Sequence, residues 1–415
     1  MTATPLFGRH AAKLLTESLV DSPVVLIHGP RQCGKTTLAQ MVCGPMGYAY
    51  SSFDDEVTRA AAEADPVGFV LDLPERVILD EVQRVPGIFS TLKLAVDRRR
   101  TPGRFVLTGS TSVLLVPGLA DSLAGRMQVV RLHPLSRCEL ARREPTFLHR
   151  LLGGHFKAGG FERLGRGLSE LVADGGFPAA LARATGRRRA AWYRDYLDAL
   201  VQRDVRDFSR ISSLDALPRL LGLAAAQTAC LLNISKLAAP FQLSRPTIRD
   251  YVTLLERLFL IQSLPPWHSN RASRLVKTPK LHLGDTGLAC ALLGADAAAL
   301  QADRKLLGQL LETFVLQELQ RQASGLDESL SFLHFRDKDG VEVDIVLENG
   351  TRTLVGVEVK ASATVTAADF HGLRRLRQAA GARFRTGVVI YDGESCVSFG
   401  DGLWAVPVRA LWDVD

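Results

Sequence analysis

The chain has no apolar run approaching the roughly 18–20 residues that a membrane span requires. Met1 to Lys13 carry no apolar core of the signal-peptide kind. Both absences set the expectation of a cytoplasmic protein without a membrane partner. The six cysteines (33, 43, 138, 230, 290 and 396) are scattered and form no C-x-x-C pair, which argues against a zinc site and against a disulfide framework. A guanine-reading N-K-x-D motif is also missing. What remains is an ordinary globular composition, 47% hydrophobic and 23% charged over 415 residues, enough for two or three domains. The formal net charge of +7 favours an anionic partner such as nucleic acid. Arginine supplies 41 of the 51 basic residues, so a GC-rich coding sequence is an equally good source of that charge.

Against these absences stands one strong motif. Gly29, Pro30, Arg31, Gln32, Cys33, Gly34, Lys35 and Thr36 fit G-x-x-x-x-G-K-[ST], with Thr37 directly behind. Val24 to His28 before it is a short, β-branched apolar run that reads as a buried parallel strand. Thr37 to Val42 after it reads as the first turns of a helix. Strand, glycine-bounded loop and helix N-terminus together cradle a polyphosphate, because backbone N–H groups converge on it and the helix dipole adds to their field. Lys35 would reach the β- and γ-phosphates of ATP, and the Thr36 hydroxyl would ligate Mg²⁺. A flexible surface loop is the bland alternative. Cys33 reads as a small neutral loop residue, with a redox switch as the other possibility.

The first 135 residues alternate strand and helix, the pattern of an open parallel sheet. Arg76 to Asp80 is an apolar strand that ends in two carboxylates, Asp80 and Glu81. Asp80 would hold Mg²⁺, and Glu81 would polarise the water attacking the γ-phosphate. This pairing marks the additional-strand, catalytic-glutamate division of P-loop proteins. In that division the strand carrying Thr108-Gly109-Ser110 lies between the other two, and Thr108 or Ser110 senses the γ-phosphate.

Leu107-Thr108-Gly109-Ser110, Ser122-Leu123-Ala124-Gly125-Arg126 and Leu132-His133-Pro134-Leu135-Ser136-Arg137-Cys138-Glu139-Leu140 resemble a widespread bacterial and archaeal AAA-type ATPase family. The resemblance implies a lid after the last strand and a preference for ATP. It also implies a basic residue, Arg126, near the nucleotide of its own or a neighbouring subunit; a surface salt bridge is the alternative. A homo-oligomer or a protein partner fits such a family.

The middle of the chain divides at glycine-rich breaks. Residues 136–210 read as a helical lid or connector, with Ala190 to Arg210 as one helix bearing Tyr196, Leu200, Val201 and Val205 on a stripe. Residues 211–295 have the order of a winged helix-turn-helix. Leu217 to Cys230 is helical, Asn233 to Ala238 forms a short helix, a third helix is capped by Ser244 with Pro246 in its first turn, and Phe259-Leu260-Ile261 is a strand. Arg245 and Arg249 would then face DNA. A protein-packing module is the competing reading.

Residues 296–415 form a second α/β unit. Alternation along Val341 to Leu347 and Leu354 to Lys360 puts Asp344, Glu358 and Lys360 on one face, with Glu312 from a helix nearby. Two carboxylates and a lysine suit metal-assisted phosphodiester cleavage, with Asp344 and Glu358 holding Mg²⁺ and Lys360 orienting a water. The spacing D-x₁₃-E-x-K resembles the restriction-endonuclease-like superfamily, although Val343 stands where the usual proline would be. A buried, self-satisfied ion cluster is the alternative. The expected whole is a Mg²⁺-dependent ATPase, with a P-loop core over 1–135, that couples nucleotide turnover to DNA binding or processing. The other reading is a nucleotide-dependent protein-interaction switch whose nuclease-like domain is inactive. A pure transcription regulator fits less well, since most of the chain lies outside the helix-turn-helix unit.

Overall fold

The computed structural model describes residues 6–110, 123–200, 216–241, 243–270, 274, 277–326 and 330–413. Val201 and Val205 of the expected stripe, and the boundary at 210, lie outside these residues. No described helix is long and apolar enough to cross a membrane.

The N-terminal part is a five-stranded parallel sheet of β1 (Val24–Gly29), β2 (Ala49–Ser52), β3 (Val77–Asp80), β4 (Phe105–Ser110) and β5 (Met127–Arg131), in the order β2-β3-β4-β1-β5. β4 therefore lies between β1 and β3, as the carboxylate pair suggested. Every residue of β1 is buried, and successive side chains enter opposite layers. Val24 and Leu26 join Phe53, Phe89 and Leu92 on one face. Val25 and Ile27 join Ala11, Leu15, Leu38 and Ala39 on the other. This is why the strand reads as a continuous apolar run rather than an alternating one.

Beyond β5 come helices Arg187–Leu200, Ala216–Ala226, Ile234–Ala238 and Arg245–Arg257. A three-stranded antiparallel sheet joins them, formed by β7 (Cys230–Leu231), β8 (Ile261–Leu264) and β10 (Lys280–Leu283) in the order β7-β10-β8. Asn233 accepts from the Lys236 N–H at 3.0 Å and Ser244 accepts from the Thr247 N–H at 3.2 Å, so both helices start where the caps predict. Phe259 differs from expectation. It has φ +58° and turns the chain, and the strand begins at Ile261.

The C-terminal sheet has eight strands. Its centre is β11 (Leu330–Arg336), β12 (Glu342–Asn349), β13 (Thr353–Lys360), β14 (Phe384–Tyr391) and β16 (Leu403–Pro407). Ile345, Leu347, Val355 and Val357 face the helix Arg304–Ala323, while Val343, Val346 and Leu354 face the helix His371–Ala380. One edge is completed by β9 (Pro266–Trp267), and the other by β6 (Gly159–Gly160) through β15 (Ser395–Ser398). The core on the Arg304–Ala323 side runs from Phe147 to Leu411, so the middle and C-terminal parts share one interior.

A buried ionic network joins the parts. Arg321 donates to Asp285 at 3.2 Å, to Glu318 at 3.0 Å and to the Leu135 carbonyl at 3.0 Å. Asp285 also accepts from the Gly176 N–H at 2.8 Å and the Tyr193 hydroxyl at 2.9 Å, and Glu318 accepts from the Arg137 N–H at 2.8 Å. A Cβ at Gly175 would lie 2.2 Å from Asp285 Oδ1, so the glycine-rich break is what lets the backbone approach the network. Removing one partner of a buried, fully bonded pair leaves an uncompensated charge. Asp285→Ala is therefore expected to lower unfolding stability by about 3–5 kcal/mol. Urea or thermal unfolding measures this, and a loss under about 1 kcal/mol would show the network to be dispensable.

Candidate nucleotide site and C-terminal carboxylate cluster

The C-terminal ends of β1, β3 and β4 bring the first set of candidate residues together. Gly34 has φ +100°, a conformation open to glycine, and opens the helix Lys35–Cys43. The first N–H groups of that helix have no partner within it and face the loop. Lys35 is buried, and its ammonium donates to the carbonyls of Gly29 at 3.2 Å and Pro30 at 2.9 Å. Gln32 is left-handed at φ +59°, Thr37 is exposed, and the Arg31 carbonyl accepts from the Tyr196 hydroxyl at 3.4 Å. Cys33 is fully buried, and burial pushes its thiol above the ordinary value, which favours the neutral loop residue over the redox switch.

Asp80 is the centre of the site. Its Oδ1 accepts from the Thr36 hydroxyl at 2.8 Å and from the Thr108 hydroxyl, and its Oδ2 accepts from the Tyr50 hydroxyl at 2.9 Å. Burial, and then the Asp80 charge, push the Tyr50 phenol up to about 12. A hydroxyl and a carboxylate at this separation are the hard oxygen donors that suit Mg²⁺ beside a phosphate, so these residues fit that ion. Glu81 stands at φ +57°, uncommon for a non-glycine residue. Its N–H donates to Thr108 Oγ1 at 3.2 Å, and its carboxylate accepts from the Gln83 side chain. Thr108 thus bridges the two acidic residues. Ser110 ends β4 in register with Gly29.

Arg126 is placed elsewhere. Its carbonyl accepts from the Val24 N–H at 3.2 Å, at the start of β1 and a strand length from the phosphate loop. Its guanidinium forms a two-pronged pair with Asp97. The expectation of a basic residue beside its own nucleotide is corrected here to the salt bridge. The arginine that does touch the loop is Arg9, which lies outside any motif of the sequence. It donates to the Cys33 carbonyl at 2.9 Å, to the His133 carbonyl and to Glu139 at 3.1 Å. Glu139 and Ser136 complete a capping box at the helix Arg137–Ala141, joining the loop to the start of the connector.

One aromatic contact links this site to the middle part. The Phe259 ring lies 4.9 Å from that of His28, the residue before Gly29, and the Arg131 guanidinium stands 5.4 Å over it. Burial, and then the charge of Arg131, lower the His28 pKa to about 4, so the ring is neutral near pH 7.

The C-terminal candidates also come together. Asp344 on β12 accepts from the Val359 N–H at 3.0 Å, and Lys360 pairs with Glu358 at 2.9 Å. An unforeseen residue is among them. Lys280, from β10 and 2% exposed, donates to Glu312 at 2.9 Å and to Asp344 at 3.0 Å, with Glu342 3.8 Å away. Burial opposes the Lys280 charge, but Asp344 and Glu312 outweigh it and raise its pKa. Burial also disfavours an ionised Asp344, yet Lys280 and the Val359 N–H hold its pKa low. Burial and the Asp344 charge push Glu358 up to about 8. His282 and His334 flank the lysine, and burial and its charge lower them to about 3 and about 4. No group of three or more His, Cys, Asp or Glu among the described residues is arranged to hold a metal ion.

Comparison with known proteins matches the chain in three pieces. A model described as an AAA domain matches residues 21–141. Two models described as domains of unknown function (DUF8612 and DUF4143) match residues 165–299 and 307–411. An uncharacterised protein of Mycobacterium tuberculosis is 29% identical over 97% of this chain and 84% of its own length. An uncharacterised protein of Methanocaldococcus jannaschii is 23% identical over 82% of this chain and 75% of its own. Among solved structures, a Walker-type ATPase of Pyrococcus abyssi superposes with a TM-score of 0.44 at 16% identity, over 69% of this chain and 96% of that one. With the loop, the inserted β4 and the Asp80–Thr36 pair in place, residues 21–141 are an AAA-type domain on an α/β P-loop sheet.

Proposed function

We propose that this chain is a Mg²⁺-dependent ATPase whose nucleotide state is read by a DNA-binding unit in its middle part. The observation that carries the hydrolytic half is the hydrogen-bonded chain Thr36–Asp80–Thr108–Glu81, which gathers two hydroxyls and two acidic residues at the tips of three adjacent strands. Thr36 and Asp80 would hold Mg²⁺, which supplies charge neutralisation at the phosphates. Lys35 would exchange the Gly29 and Pro30 carbonyls for phosphate oxygens. Glu81 would take the proton of the attacking water, and its left-handed backbone is the kind of strain that clusters at functional sites.

The coupling half rests on Phe259. This residue follows the capped helix Arg245–Arg257, so a shift of the strand tip at His28 has a packed partner in the middle part. Helices, a short β-strand and two longer ones follow the order of a winged helix, and Arg245 and Arg249 are both exposed on its third helix. This geometry suits insertion of that helix into a major groove with two phosphate or base contacts. The switch reading, with a protein partner in place of DNA, draws its support from the ion-paired C-terminal cluster.

Four measurements test the reading. Glu81→Gln should keep ATP binding while hydrolysis falls about 100-fold or more; turnover that survives would remove Glu81 as the base, and Lys35→Ala serves as the binding-deficient control. Arg126→Ala should leave nucleotide affinity unchanged and change stability little, as an exposed pair does. Duplex DNA should stimulate steady-state hydrolysis. Arg245→Ala/Arg249→Ala should flatten the slope of log affinity against log salt by about 2. Hydrolysis indifferent to DNA would move the reading to a protein partner.

A further inference from the structure

The likeness of Asp344, Glu358 and Lys360 to a nuclease site implies a divalent metal between the two carboxylates, and the residues present do not fit one. Asp344 has both oxygens engaged, Oδ1 by the Lys280 ammonium at 3.0 Å and Oδ2 by the Val359 N–H at 3.0 Å. Glu312, the third carboxylate, is engaged by the same ammonium at 2.9 Å. Glu358 has its own lysine, Lys360, at 2.9 Å. Asp344 and Glu312 are thus already engaged by a cation of the chain, while Glu358 holds Lys360 through one oxygen and keeps the other, Oε2, buried without a hydrogen-bond partner. Divalent ions need oxygen ligands within about 2.0–2.6 Å on several sides. An ammonium set among Asp344, Glu312 and Glu342 supplies at Asp344 the positive charge that such an ion would bring.

The origin of this lysine gives the arrangement its meaning. Lys280 belongs to β10, where it pairs with Leu231 of β7 and Leu264 of β8 in the small sheet of the middle part. Its three carboxylate neighbours belong to the C-terminal part, on the helix Arg304–Ala323 and on β12. The Asp344 carboxylate, brought against Glu312 in a largely buried place, would be costly without a counter-charge, and an unpaired lysine buried to 2% exposure would be equally costly. Each half makes the other tolerable only when the two sheets are docked.

We propose that Lys280 is a resident counter-cation in place of a divalent metal, and that the Asp344 cluster serves as the electrostatic seat on which the middle sheet docks onto the C-terminal sheet. This stands apart from the nucleotide reading and survives its failure. The cluster is then a joint, and its carboxylates have no phosphodiester to cleave while Lys280 is seated.

The test uses the full-length, nucleotide-free protein and Mn²⁺ alone as the probe, followed by electron paramagnetic resonance. Wild type is expected to show no Mn²⁺ binding that Asp344→Asn removes; such binding would overturn the proposal. A double-mutant cycle in thermal stability supplies the second arm. Lys280→Ala and Asp344→Asn should each lower Tm, and the double variant should be far less destabilised than the sum. Additive losses would show that the two charges do not depend on each other, and would also overturn it. In Lys280→Ala, added Mn²⁺ should restore part of the lost Tm, and should fail to do so once Asp344→Asn is added. Should Lys280→Ala not fold, recovery of folding in the double variant reports the same coupling.

Discussion

Everything beyond the nucleotide sheet hangs on one buried guanidinium. Arg321 reaches from the helix Arg304–Ala323 to Asp285, Glu318 and the Leu135 carbonyl, and all three ionic side chains are at most 3% exposed. Ions removed from water are tolerated only with excellent geometry and with their remaining hydrogen-bonding capacity used. Here the Gly176 and Arg137 N–H groups and the Tyr193 hydroxyl use it. The network therefore fixes a geometry more than it adds stability. It sets the segment leaving β5, the glycine break, the helix Arg187–Leu200 and the C-terminal helix in one relative position. The Phe259 contact against His28 and the seat of Lys280 both depend on that position being kept.

The phosphate loop and its sheet were legible because local rules are sufficient there. A β-branched strand, glycines bounding a loop, a lysine and a hydroxyl residue at fixed spacing encode their own geometry. Asp80 and Glu81 were readable for the same reason, since two carboxylates that close an apolar run mark the end of its strand. Asn233 and Ser244 marked their helices through caps whose partners lie three residues away. Asp344, Glu358 and Lys360 shared a face by strand periodicity alone.

The unreadable residues are those whose meaning is supplied by distant partners. Arg9 lies 130 positions from Glu139, and Lys280 lies 64 from Asp344. A single lysine opening an apolar strand has no local pattern to announce it. Arg126 misled for a related reason, because a short motif match carries no information about which end of a strand its residue occupies. Phe259 looked like strand by propensity, yet its backbone turns back to bring the ring onto His28. Tertiary contact outweighed local preference there.

The resting position of Lys35 carries a consequence for what the loop admits. Its ammonium already holds two carbonyls of the loop, so those carbonyls behave as a tethered competitor always present at the site. A visiting anion gains only the difference between its own bonds and these. Chloride, carboxylates or a lone phosphate ester, with few oxygens to offer, gain little from that exchange. A polyphosphate would meet the freed ammonium and the helix N-terminus at once, and so would overcome the tether. Under the proposed reading, the loop would discriminate by the number of simultaneous contacts rather than by the strength of any one of them.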